Sequence, residues 1–413
     1  MKKLVSLLMA LCLLLSACPL ALAAEEPITL EFWVRTSDDF SAEIADFEAA
    51  NPGIKIEQVQ VGASYDELVT KYNSAINTKT LPAVGMVGQR HGIPQLYDAG
   101  VLVPIEEYMS EEEQADVIDG YWVRYTYKDK RMAAPFQSSI PILHYNATML
   151  KELGLEVPKT FTEMMESAAK AVKDTNGDGV TDIYGFNMAT DYPWYVQTLI
   201  WEFGGSLLDE NGNAKVDTPE TLEVLTAFAK MVKDGVMPAN QHATYRQDFA
   251  NGNLLFFFTT CASVSAIEEL VNGKFDYEIA FFPAEDTQDV SIGGNGLAIF
   301  ASTPEKQEAA WKFIQYMISP EPFSKTTMER GYLPCTKAHF ESPLVTERLA
   351  DPTWKTILDM VDYIQGQSVH PADSIIWNEM LTLVSEIEAD PDMDIAQALK
   401  DFQVVVDEYM MFY

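Results

Sequence analysis

The chain has 413 residues, 47% of them apolar and 22% charged, long enough for two or three domain-sized cores and too apolar to stay disordered. Its 62 acidic residues against 28 basic ones give a formal charge of −34, which becomes −36 when the two charges of Lys2 and Lys3 leave with a cleaved leader. Such a surface repels phosphate backbones and acidic lipid, which excludes nucleic acid and anionic membrane as partners.

Lys2 and Lys3 precede an apolar run from Leu4 to Leu15, too short for a good membrane span and shaped like a secretion signal over residues 1–24. Leu15-Ser16-Ala17-Cys18 resembles a lipobox, with Cys18 the residue to be lipidated, while Ala21-Leu22-Ala23 before Ala24 fits cleavage for free secretion. The protein is therefore expected outside the cytoplasm, either as a cell-surface lipoprotein touching the membrane only through its lipid anchor or as a free periplasmic or secreted protein. Past the leader only Cys261 and Cys335 remain. Export permits a bridge between them, but separate small apolar cysteines are the expected state.

In chain order, Ile28, Leu30, Phe32 and Val34 alternate as a strand, and Phe40 to Ala50 is an amphipathic helix ended by Asn51-Pro52-Gly53. Ile54 to Val61 is a second strand whose alternation slips near Gln58. Ser64 to Glu67 is a capping box opening a helix with Leu68, Tyr72 and Ile76 on one face. Ala83 to Val87 is a nearly all-apolar strand of the kind covered on both faces in a parallel sheet. Ile93 to Ala99 is a short helix, followed by the Val101 to Ile105 segment and a second capping box at Ser110 to Glu113.

Residues 132–146 follow, two extended runs with Gln137, Ser138 and Ser139 between Pro135 and Pro141, each of which forbids helix before it. This stretch reads as a crossover between two βα-rich lobes, its polar triplet placed to hold a small polar molecule. Beyond it the βα alternation resumes, with strands at 140–145, 254–259, 275–282 and 297–301 and a hairpin at 207–216 around Asn211-Gly212. Helices fall at 147–153, 160–172, 194–203, 218–235 and 263–271, and from Thr303-Pro304 onward the chain is mostly helical, with long segments near 373–388 and 393–411.

The five histidines are scattered, and zinc, nucleophile-elbow and phosphate-loop motifs are missing, so no enzyme is expected. Asp174, Asn176, Asp178 and Asp182 stand at positions 1, 3, 5 and 9 of a D-x-N-x-D-G-x-x-D run, with the Val180 carbonyl at position 7. That spacing suits a structural calcium ion, although Gly185 stands where an EF-hand has its bidentate glutamate; the alternative is a surface turn rich in Asp, Asn and Gly that needs no ion. Trp33, Trp194 and Trp377 sit at a strand end, a helix start and after a loop, the places from which a ring reaches the cleft of an open α/β sheet to stack on a sugar. For any single tryptophan, core packing is the competing role.

Ala134 to Asn146, Thr259 to Ser263, Gly293-Gly294 and Gly331 to Pro334 resemble the family 1 extracellular solute-binding proteins of ABC importers, and most of all their glycerol-3-phosphate-binding branch. The resemblance spans the mature chain. It implies an α/β chain with the two-lobe, type II periplasmic-binding-protein (venus-flytrap) fold and hinge crossovers: residues 25–135 with 293–328 as one lobe, 136–292 with 329–413 as the other. It also implies a monomer that hands its ligand to ABC permease subunits. Carried over by residue, it implies ligand contacts from Tyr65, Ser138, Ser139, Ser263, Gly293, Gly294, the adjacent Asn295, and Tyr332. Two positions depart from that branch: Gln89, expected to hydrogen-bond the ligand in its own right, replaces a glutamate, and no arginine stands near His370 to Ile376 to grip a phosphate. Trp377 resembles the stacking tryptophan of maltose-type members. The resemblance therefore implies a neutral carbohydrate or polyol as ligand, with glycerol 3-phosphate or a glycerophosphodiester, or capture of a surface polysaccharide without transport, as the alternatives.

Overall fold

The first strand, β1 (Ile28–Arg35), buries Leu30, Phe32 and Val34 completely on one side, as its alternation requires. The computed structural model describes residues 26–88, 92–190, 192–209, 211–239, 244–365 and 369–412. After β1 come α1 (Ser41–Ala50), β2 (Ile54–Gly62), α2 (Tyr65–Thr78) and β3 (Val84–Val87). The slip in β2 has a local cause: the Gln58 side chain accepts from the Phe40 amide at 2.9 Å and donates to the Asp38 carbonyl at 3.0 Å, bracing the turn after β1. Ser64 caps α2 by accepting from the Glu67 amide at 3.2 Å.

The chain continues through β4 (Leu102–Val103), β5 (Ala134–Ser139) and β6 (Pro141–Asn146). Helix α3 (Phe161–Ala171), β7 (Tyr184–Met188), α4 (Trp194–Glu202) and α5 (Pro219–Lys233) lead to β8 (Leu254–Thr260), β9 (Tyr277–Ala280) and β10 (Gly293–Phe300). One sheet runs β2-β1-β3-β10-β4 with β5 paired to β10, and the other runs β9-β6-β8-β7. Two α/β lobes result. Three later helices complete the architecture: α6 (Pro304–Met317) on the first lobe, then α7 (Asp373–Ala389) and α8 (Ile395–Met410), which pack on α5 of the second. Phe313 of α6 meets Phe32 and Phe47 edge-on at 5.2 Å each, closing the first core.

Four expectations change in place. Strand β5 stays in the first sheet through Ser139, paired with Gly293, so the passage between sheets falls at Ile140 rather than after residue 135. Leu333 donates to the Ser138 carbonyl at 2.8 Å and Ile118 to the Cys335 carbonyl at 3.1 Å, holding the 333–335 stretch against the first lobe although it was assigned to the second. The hairpin at 207–216 reduces, among the described residues, to a single bridge between Leu208 and Ala214. There the Asp209 carboxylate accepts from the Asn211 and Asn213 amides at 2.8 Å, which closes a tight polar loop in place of a ladder. The strand placed at Leu297 starts at Gly293, because the glycines lie inside the sheet. Among the described residues no helix is long and apolar enough to cross a membrane.

Candidate ligand-binding site

A cavity of about 640 Å³ opens between the lobes, within the size range of small-molecule sites. Its first-lobe wall is built at the end of β1. Arg35 donates from Nε to Asp38 Oδ2 at 2.9 Å and from Nη2 to Gln137 Oε1 at 2.9 Å, and its guanidinium lies 4.5 Å from the centre of the Tyr65 ring. Asp38 is buried, and Arg330 approaches its Oδ1 at 3.6 Å, so two arginines share one carboxylate. Asn295 Nδ2 donates to the Tyr65 hydroxyl at 2.5 Å and to Gln137 Oε1 at 3.0 Å, tying β10 to β5 and α2 beneath the cavity. The Tyr332 hydroxyl, 3.5 Å from Arg35 Nη2, completes this wall.

The second-lobe wall is aromatic. Trp194, at the start of α4, lies so close to Gly293 that a Cβ there would stand 2.8 Å from the indole ring. Tyr195 packs on Trp194 at 5.3 Å, and its hydroxyl shares Thr259 Oγ1 with that of Tyr245, at 3.3 and 3.2 Å. Arg246 reaches the mouth of the cavity, donating from Nε to the Tyr245 hydroxyl at 3.0 Å and from Nη2 to Ser263 Oγ at 3.2 Å.

Of the residues read from the sequence, Tyr65, Ser139, Trp194, Gly293, Gly294 and Tyr332 line this cavity. Asn295 lies just beneath it, and Ser263 stands behind Arg246 as its acceptor. Trp377 lines an adjoining cavity of about 40 Å³ together with Trp194 and Tyr192, and meets Tyr192 edge-on at 4.8 Å. Two expectations are corrected. Trp33 is buried and stacked on Tyr72 at 5.6 Å with an interplanar angle of 9°, because it sits two residues back from the strand end, where α2 covers that face. Ser138 alternates away from Ser139 and faces the Cys335 thiol, whose Sγ is 3.4 Å from its Oγ. Gln89 and Cys18 lie outside the described residues. Sequence reasoning passed over Arg246, Tyr192, Tyr195 and Tyr245, whose segments carry no motif. Arg35 stands directly after Val34, the last alternating residue of the first strand.

Among the described residues, the buried His144, His339, Cys261 and Cys335 lie outside the cavity lining. Burial pushes His144 down to about 3 and His339 down to about 4, so both stay neutral. Cys261 and Cys335 are free buried thiols, and burial raises them to about 11 and about 12. At the acidic loop, Asp174 is fully exposed and accepts from the Asn176, Gly177 and Gly179 amides at 3.2, 2.6 and 2.8 Å. Asn176 and Asp178 accept from the Asp178 and Val180 amides, and Asp182 accepts from Thr175 at 2.7 Å. Those bonds hold the Asp174 and Asp182 carboxylates below their ordinary range. Among the described residues no group of three or more His, Cys, Asp or Glu side chains is placed to hold a metal ion. Closed by its own amides, the loop is expected to keep its shape in excess EDTA, with Tm unchanged. A drop of several degrees reversed by calcium would show that an ion completes it.

Two α/β lobes with an aromatic and hydrogen-bonding cavity between them define a venus-flytrap binding protein. The sequence matches the bacterial extracellular solute-binding protein family over residues 42–350, and the chain belongs to that family. It is therefore an exported binding protein. It is 25% identical to the maltotriose-binding protein of Pyrococcus abyssi (strain GE5 / Orsay) over 327 residues, 75% of this chain and 67% of that one. It is 24% identical to the sn-glycerol-3-phosphate-binding periplasmic protein UgpB of Escherichia coli (strain K12) over 363 residues, 79% of each. The sugar-binding protein MalE from Xanthomonas citri has the same fold, with a TM-score of 0.80 at 21% identity over 93% of this chain and 97% of that one.

Proposed function

We propose that the protein captures a carbohydrate or polyol between its lobes and delivers it to the permease subunits of an ABC importer, without turnover. The observation that carries this reading is the pairing, across one cavity, of the Trp194 and Tyr195 rings with the hydrogen-bonding wall of Arg35, Ser139 and Tyr332. A sugar presents both an apolar face for the rings and hydroxyls for the polar groups. Relatives that bind maltotriose and glycerol 3-phosphate support the same class. The Ile140 passage and the return at β10 serve in this reading as hinge crossings, each lobe moving as a rigid body. Cys18 is the proposed lipid attachment point, to be checked by loss of membrane association in Cys18→Ala.

The test is a thermal-shift screen of the mature protein against mono- and oligosaccharides and polyols. Ligand at a hundred times its Kd adds about 2.7 kcal/mol, a plain rise in Tm. In Trp194→Ala the rise is expected to shrink strongly, since a stacking ring contributes about 1–3 kcal/mol on burial. An undiminished rise would remove Trp194 from the contact surface.

A further inference from the structure

We propose that Arg330 is a positioning residue for solute binding: from outside the cavity it closes off the buried Asp38 carboxylate and so fixes the Arg35 guanidinium that meets the solute. The proposal rests on the solute-binding reading of the same cavity and adds to it a residue beyond the lining. Arg35 lines the cavity and is held along one edge. Its Nε donates to Asp38 Oδ2 at 2.9 Å, and its Nη2 donates to Asp38 Oδ1 at 3.2 Å and to Gln137 Oε1 at 2.9 Å. Nη1 has no acceptor among the described residues. It keeps both of its N–H groups for solute oxygens, and their direction is set by the grip of Asp38 on the opposite edge.

Asp38 is the hub of this arrangement. Besides Arg35 Nη2, its Oδ1 accepts from Gln137 Nε2 at 3.2 Å, and Arg330 Nη1 approaches the same oxygen at 3.6 Å. Oδ1 thus has three donors about it and none nearer than 3.2 Å, at the long end of the hydrogen-bond range, where strength depends on keeping water out. Arg330 is placed to do that. It ends the short helical turn Met328–Arg330, donates from Nη2 to the Asp39 carbonyl at 3.0 Å, and lays its guanidinium 5.5 Å from the centre of the Phe40 ring. Its side chain is 37% exposed and that of Asp38 only 3%, so Arg330 lies between the carboxylate and solvent. Without it, water reaches Oδ1 and competes with Arg35 Nη2 and Gln137 Nε2, which loosens the fork presented to the cavity. Gln137 also accepts from Asn295 Nδ2 at 3.0 Å, so the loosening spreads beneath the cavity.

Two measurements on the mature wild type, Arg330→Gln and Arg330→Lys test this. The first is NMR of the arginine Nε–H signals, with that of Arg35 assigned by its loss in Arg35→Lys, and it reads the fork without any ligand. In Arg330→Gln the exchange of this proton with water is expected to quicken at least about threefold, although Arg330 does not touch Nε. The second is titration calorimetry with maltotriose, glucose, glycerol and sn-glycerol 3-phosphate. The probe that binds wild type most tightly is expected to lose about threefold to tenfold in Arg330→Gln and to regain most of that in Arg330→Lys, with Tm within about 2 °C of wild type. Arg35→Lys, which keeps the charge without the fork, is expected to bind about tenfold more weakly, and adding Arg330→Gln to it to cost less than about twofold more. An unmoved Arg35 signal, an unchanged affinity in Arg330→Gln, or an equal loss with and without Arg35 would overturn the proposal and leave the solute reading intact. Binding of none of the four probes overturns the carbohydrate or polyol reading and this proposal with it.

Discussion

Gly294→Ala is expected to destabilise the protein by about 3–5 kcal/mol and to abolish ligand binding, the largest effect of any single methyl group at the site. Gly294 has φ +104, and a Cβ placed there would stand 1.7 Å from the Gln137 carbonyl oxygen. The left-handed backbone alone costs an alanine about 1–2 kcal/mol. The clash adds more because neither strand can move aside. Gly294 is paired with Ser138 next to an irregularity in the β10 register. Behind it the buried Arg124 guanidinium donates to the Ile292 carbonyl at 2.7 Å and to that of Gly294 at 3.3 Å. Any shift of β5 also drags Gln137 away from Arg35 and Asn295, which dismantles the first-lobe wall. Urea unfolding with a ligand titration checks this. A variant that binds normally with an unchanged urea midpoint would mean that the strands separate at little cost and that the wall is not pre-formed.

Glu202→Gln is expected to stabilise the protein by about 2–3 kcal/mol at pH 8 and hardly at all at pH 5. Glu202 ends α4, the helix that brings Trp194 to the cavity, and its side chain is fully buried with neither oxygen hydrogen-bonded among the described residues. Burial, and then the nearby charge of Asp289, push its carboxyl up from the ordinary 4.5 to about 9. The folded chain keeps this proton until pH approaches 9, whereas the unfolded chain releases it near 4.5. Each pH unit between those values therefore favours unfolding by up to about 1.4 kcal/mol. The penalty is absent below the lower value and complete above the upper one. Glutamine has the same shape and no charge to desolvate. Urea midpoints of both proteins at pH 5, 6.5 and 8 measure the effect. A difference that does not grow with pH would show that Glu202 ionises in the folded state like an exposed carboxylate.

Glu202 was invisible to sequence reading because its neighbours are supplied by the 286–289 loop, far along the chain. The same holds for Arg246: Tyr245 and Ser263 position it, and nothing in Thr-Tyr-Arg-Gln announces a binding residue. Conversely, β1, α2, β5 and α6 were legible, because alternation, capping boxes and proline are local signals whose physics acts within a few residues. The three tryptophans show the boundary between the two kinds of information. All were chosen by the same rule, that strand ends and loops face the cleft. Trp194 does so, Trp377 lies one cavity away behind Tyr192, and Trp33 is covered by α2.

By itself, then, the sequence determined an exported α/β protein of two lobes and a passage between them close to the Gln137-to-Ser139 triplet, since each depends on composition, periodicity or turn chemistry carried by contiguous residues. Only the tertiary structure decided that Ser139 and not Ser138 faces the cavity, that Asp38 is shared by Arg35 and Arg330, and that Arg246 rests on the hydroxyls of Tyr245 and Ser263. Those outcomes depend on which side chains from distant segments meet across a few ångströms, and neither period nor spacing encodes that meeting.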